Sequence, residues 1–90
     1  MIITEILYSS KFVVEFKKLP EELIALAIKE ERIFKENPLH HSLRLHALQG
    51  SLKGLWLISI TSSCRIIFER QPNGDILFIS VGKHDIYRNL

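Results

Sequence analysis

Two apolar runs, Leu55 to Ile60 and Cys64 to Phe68, are separated by only Thr61, Ser62 and Ser63. Runs this short, with three polar residues between them, read as two strands of an antiparallel hairpin. Two glycines, Gly50 and Gly54, stand just ahead at a spacing of four, followed by the sole tryptophan, Trp56. Glycines immediately before a strand imply a tight turn with close backbone approach. Arg65 opens the second run, which fixes a cation on the hairpin.

The flanks extend this nucleus in both directions. Gln71-Pro72-Asn73-Gly74-Asp75 is a second turn, with proline setting φ and glycine free to take φ > 0. A last strand, Ile76 to Val81, precedes Gly82 and the tail KHDIYRNL. At the other end Ile2 to Leu7 is a β-branched first strand, and Ser9 and Ser10 can cap a helix from Lys11 to Leu19. Phe12, Phe16 and Leu19 form one stripe of that helix. Pro20 ends it and suits the first turn of the next helix, where Glu21 and Glu22 meet the positive end of the macrodipole. Leu23, Leu26, Ala27, Ile33 and Phe34, widened by Ile24 and Ile28, give the second helix its apolar face, and Asn37-Pro38 bounds it.

Leu39 to Ser42 reads as a connection. Leu43 to Leu48 alternates as a strand, with Leu43, Leu45 and Ala47 on one side and Arg44, His46 and Leu48 on the other. The expected domain, residues 1–90, is α+β with the order β-α-α-β-β-β. An antiparallel sheet of three to four strands plus an N-terminal strand carries a two-helix hairpin packed on one face.

At 47% hydrophobic and 24% charged residues, the 90-residue chain has the composition of one folded domain and not of a disordered tail. No apolar stretch approaches the roughly 18 residues that span a bilayer, and the N-terminus lacks the basic start of a signal peptide. The single cysteine, Cys64, excludes internal disulfides and suits a reducing cytoplasm, and as the start of an apolar strand it reads as a small core residue.

The net charge of +2 is unevenly distributed. Residues 1–38 hold six Lys/Arg against seven acids, whereas residues 39–90 hold six against three, together with all four histidines. Cations and near-neutral titrating groups thus share one half, a pattern that fits a polyanion such as nucleic acid as well as ordinary solvation.

Fixed-spacing signatures for phosphate loops, calcium hands, zinc proteases and nucleophile elbows are absent. Adjacent His40 and His41 would point apart on an extended chain, so no metal or other cofactor is expected. What remains is His46, Arg65, His84 and Tyr87 with the cations Arg44, Lys53, Lys83 and Arg88. RNA offers a metal-free reaction to such a set: a base removes the 2′-hydroxyl proton and the oxygen attacks the adjacent phosphate. Arginine stabilises the phosphoryl charge, and an acid protonates the departing 5′ oxygen. Each residue also has a structural reading: His46 as a packed histidine, Arg65 paired with Glu69, His84 and Tyr87 as a polar tail, and Trp56 as core or the rim of a partner groove.

The pattern His46-x-Leu48-x-Gly50-x-x-x-Gly54-x-Trp56, then Arg65-Ile66-Ile67-Phe68, then Val81-Gly82-x-His84-Asp85-x-Tyr87, resembles the RelE/ParE superfamily of bacterial toxins. The segment Phe16-Lys17-Lys18-Leu19-Pro20 and the helix ending Lys35-Glu36-Asn37-Pro38 are similar to that family's helical hairpin. The resemblance implies the toxin half of a type II toxin–antitoxin pair and, for its RelE branch, a metal-independent endoribonuclease that cuts messenger RNA on the ribosome. In that light Arg65 would stabilise phosphate charge, His84 would be the general acid or base, Tyr87 its aromatic or acid partner and His46 a further participant. Lys53, Arg44, Lys83 and Arg88 would bind RNA. Partners implied are a cognate antitoxin, messenger and ribosome in the cytoplasm, with no membrane and with DNA reached only through the antitoxin. Two alternatives share the resemblance: a ParE-like poison of DNA gyrase without ribonuclease activity, and an inactive member that only binds its antitoxin.

Overall fold

The computed structural model describes residues 2–83, 86, 87 and 90. Its elements are β1 (Ile6–Tyr8), α1 (Ser10–Lys17), α2 (Glu21–Glu36), β2 (His46–Ala47), β3 (Leu55–Ser59), β4 (Arg65–Arg70) and β5 (Ile76–Gly82), with 3₁₀ turns at His41–Leu43 and Gly50–Leu52. The five strands form one sheet in the order β1-β5-β4-β3-β2. The expected α+β class and helical hairpin hold, with one strand more than the β-α-α-β-β-β order contains.

The hairpin of β3 and β4 pairs Leu57 with Ile67 and Ser59 with Arg65. Thr61 builds its turn, its Oγ1 accepting from the amides of Ser63 at 3.3 Å and Cys64 at 3.0 Å. In the turn between β4 and β5, Gly74 takes φ 94° and the Gln71 amide donates to the Asp75 carbonyl at 2.8 Å. The β4–β5 ladder slips once: Ile67 faces Ser80 and Phe68 faces Phe78, leaving Ile79 as a bulge.

The N-terminal strand departs from expectation. Only Ile6 to Tyr8 joins the ladder, parallel to β5 with Ile6 opposite Ile76, so the sheet is mixed. A parallel partner needs a long connection, here residues 9–75, which include both helices and β2 to β4. Ser9 ends the strand by turning to cap α1, its Oγ accepting from the Phe12 amide at 3.0 Å.

The expected strand from Leu43 to Leu48 is shorter still: only His46 and Ala47 pair, opposite Leu57 and Trp56. Leu43 is fully buried in the core, and the 3₁₀ turn that delivers it forces Arg44 into the left-handed region at φ 47°. The same turn brings the His40 and His41 rings into a stack at 4.5 Å, where an extended chain would have splayed them. Ser42 ties this turn to α2 by donating its hydroxyl to the buried Glu30 carboxylate at 3.1 Å.

Period-2 alternation gives the sheet two different faces. Ile58, Ile66, Phe68, Ile76 and Phe78 point under the helices and meet Phe12, Ala27 and Phe34 in the main core. Phe34 packs its ring 5.0 Å from Phe68, a contact that fastens the C-terminal half of α2 to the sheet centre. Leu26 and Ile28, expected on the buried face of α2, remain 36% and 48% exposed. Leu57 and Ile67 point the other way, where Ile86 covers them and Leu48, Leu55 and Tyr87 pack around the edge. No helix in the described residues is long and apolar enough to cross a membrane.

Candidate functional site

The face turned away from the helices carries the candidate chemistry. Arg65 begins β4 on that face, two residues before Ile67 and opposite Ser59 and Gly82. The hairpin turn preceding it orients the guanidinium, because Nη2 donates to the Ser62 carbonyl at 3.4 Å. On its other side Nη1 donates to the Tyr87 hydroxyl at 3.2 Å. Tyr87 arrives there by a reversal: β5 ends at Gly82, the Ile86 amide donates to the Lys83 carbonyl at 3.0 Å, and Ile86 lies on Leu57 and Ile67. Arg65 and Tyr87, 22 residues apart in the chain, thus converge on one spot. Since the phenol oxygen accepts from arginine, its own proton remains available to donate.

His46 is on the same face. It pairs with Leu57, which pairs with Ile67, so it lies two strands across and two residues along from Arg65, about 12 Å between Cα atoms by strand spacing. Its Nδ1 donates to the Arg44 carbonyl at 3.1 Å, which in the neutral ring leaves Nε2 as the proton acceptor. Between this arginine and the exposed imidazole the sheet surface is apolar, Leu57 and Ile67 being buried under Ile86.

A 290 Å³ apolar cleft opens elsewhere, between the helices, lined by Tyr8, Phe12, Phe16, Ile28, Ile66 and Phe78 among others. The Tyr8 hydroxyl donates to the Glu31 carboxylate at its rim. Burial and then that carboxylate hold the Tyr8 phenol well above its ordinary value, so it stays protonated. The cleft is on the opposite side of the sheet from Arg65, and apart from this pair and Lys17 its lining is apolar. It has no part in the arrangement around Arg65.

Compared by sequence, the chain matches no family model and no curated protein. Compared by structure, it overlies YafQ from E. coli strain BL21(DE3) with a TM-score of 0.76 at 20% identity, over 91% of this chain and 94% of that one. The YoeB/ParE toxin from Agrobacterium tumefaciens overlies it at 0.75 and 14% identity, over 90% and 99%. A chain of the YoeB–YefM complex from Staphylococcus aureus does so at 0.71 and 16%, over 93% and 99%. The chain has the RelE/ParE toxin fold.

Within this toxin fold the eight residues singled out from sequence separate into groups. Arg65 and Tyr87 are in contact, and His46 shares their face. Lys83 directly follows Gly82, the β5 partner of Arg65, and its ammonium acts on the neighbouring Cys64 thiol. Arg44 is exposed where the chain enters β2, two residues before His46. Lys53 is not with them. It lies beyond the start of β3, and the level of Leu55 alone is about 13 Å along the strands from Arg65. His84 and Arg88 lie outside the described residues.

Sequence reasoning passed over two residues that build the candidate site, Ser62 and Ile86. The Ser62 carbonyl carries no side-chain signal. Ile86 does, as the lone aliphatic residue between Val81 and Leu90.

Proposed function

We propose that the chain is the toxin component of a type II toxin–antitoxin pair and acts as a metal-independent endoribonuclease on messenger RNA presented by the ribosome. The observation that carries this reading is the Arg65–Tyr87 contact on the face of the sheet turned away from the helices, with His46 on the same face. Arg65 brings a fixed positive charge, oriented by Ser62 and Tyr87, towards which phosphoryl oxygens would be drawn, and Tyr87 offers a proton beside it. In the proposed reaction a base, His84 or His46, takes the 2′-hydroxyl proton, and the 2′ oxygen bonds to the adjacent phosphorus. Arg65 stabilises the charge on the phosphoryl oxygens as the P–O5′ bond breaks. An acid, Tyr87 or the second histidine, protonates the departing 5′ oxygen, leaving a 2′,3′-cyclic phosphate and a 5′-hydroxyl. Lys83, Arg44, Arg88 and, further off, Lys53 would hold flanking phosphates.

Support for a partner comes from the overlaid structures, since YafQ is also solved as the DinJ–YafQ toxin–antitoxin complex, whose matching chain has a TM-score of 0.75 at 20% identity over 94% of this chain and 97% of that one. By analogy a cognate antitoxin would cover this chain in the cytoplasm, and DNA would be reached only through it.

The test is induction of the chain alone, with Arg65→Ala and His84→Ala beside it. Growth should stop and ribosome-engaged messenger should be cut to cyclic-phosphate ends. Removing the arginine should slow cleavage by about 10²- to 10³-fold, as loss of one charge-stabilising donor does. Intact messenger with inhibited gyrase would assign the chain to the ParE-like reading, and unaffected growth to an inactive member.

A further inference from the structure

Gly82 is the last residue of β5 and faces Arg65 across the ladder. Gly50, Gly54 and Gly74 all take positive φ, so their backbone favours glycine; that of Gly82 does not. Its requirement is space. A Cβ at position 82 would stand 2.5 Å from Cγ2 of Ile86, where carbon–carbon contacts settle near about 3.5–4.0 Å. Ile86 is buried against Leu57 and Ile67, and its β-branch leaves that methyl little rotational escape. The next residue is Tyr87, whose hydroxyl accepts from Arg65.

We propose that Ile86, admitted by the missing Cβ of Gly82, is the positioning residue that sets Tyr87 against Arg65. Its effect on cleavage rests on the endoribonuclease reading; its effect on the Arg65–Tyr87 geometry does not. A side chain at position 82 pushes Ile86 off its seat by about 1 Å, and a misplacement of that size at a reacting group costs about 10²-fold in rate. Ile86 touches no substrate in this account and acts through Tyr87.

Two variants test it. Gly82→Ala has an unstrained backbone, so the sheet persists, but Ile86 must move. Gly82→Ala with Ile86→Leu keeps the side-chain volume and removes the branched methyl that collides. Proton NMR contacts between the Arg65 side chain and the Tyr87 ring should be present in the wild type, lost in Gly82→Ala and recovered in the double variant. Cleavage of ribosome-bound messenger should follow, with kcat down about 10²-fold in the single variant, KM nearly unchanged, and recovery in the double. Unchanged contacts in Gly82→Ala, or a loss that Ile86→Leu does not repair, would overturn the proposal. If the wild type cuts no messenger while the contacts are lost and recovered as described, the positioning role stands and the endoribonuclease reading falls.

Discussion

The Glu15 carboxylate serves the edge of β5 that no strand covers. Its Oε1 accepts from the Ser80 hydroxyl at 2.6 Å and from the Val81 amide at 3.2 Å, while Oε2 accepts from Lys11 at 2.6 Å. β1 stops opposite Phe78, and past that point the polar groups of β5 would be left without partners. Ser9 and Glu15 supply them from α1, Ser9 donating its hydroxyl to the Ile79 carbonyl at 2.8 Å. One helix side chain therefore joins the two halves of the chain at the point where the parallel pairing ends.

That arrangement predicts an acid-sensitive fold. Burial alone would raise the Glu15 carboxyl, but the hydrogen bonds from Lys11, Ser80 and the Val81 amide outweigh it and hold the group below its ordinary value of 4.5. A carboxyl depressed in the folded state contributes stability that is complete above that ordinary value and disappears as pH falls through the depressed one. Urea denaturation should show stability falling from pH 5 towards pH 2. Glu15→Gln should cost about 1–3 kcal/mol at pH 7 and flatten that acid limb. An equally steep limb in the variant would mean that other carboxylates dominate it.

Cys64 should behave as an inert thiol. It is 1% exposed, and burial pushes its thiol up, offset in part by the Lys83 ammonium and the Arg65 amide. Only the thiolate reacts, so a thiol reagent at pH 8 should label native protein orders of magnitude more slowly than unfolded protein. Labelling of the native chain at the free-thiol rate would show that the core around Cys64 opens readily.

Gly74 should be the least replaceable glycine outside the site. It sits at φ 94°, and a Cβ there would stand 2.8 Å from Thr4 Oγ1. Its carbonyl also accepts from the Thr4 amide at 3.1 Å, which fastens the segment leading into β1. Gly74→Ala meets both backbone strain and collision, about 1–3 kcal/mol or more. At φ 65° with open space around it, Gly50 meets only the strain of the left-handed region, about 1–2 kcal/mol. Thermal denaturation should therefore rank Gly74→Ala well below Gly50→Ala.

What the sequence determined by itself was local. The hairpin around Thr61 to Ser63, the turn at Gly74, the phenylalanine stripe of α1 and the proline-bounded α2 each follow from a period or a turn signal within about ten residues. Arg65 and His46 stood out as residue types suited to phosphate chemistry and through the family resemblance, with no placement relative to one another. Long-range burial decided the rest. Ile6 finds Ile76 across 70 residues, so the sheet is mixed. Leu43 must reach the core, and that requirement breaks the strand ahead of His46 and turns Arg44 left-handed. Tyr87 meets Arg65 because Ile86 has an apolar seat on Leu57 and Ile67, which exists only once β3 and β4 have paired. Periodicity is written in neighbouring residues; which surfaces remain to be covered is settled only when distant parts of the chain have already met.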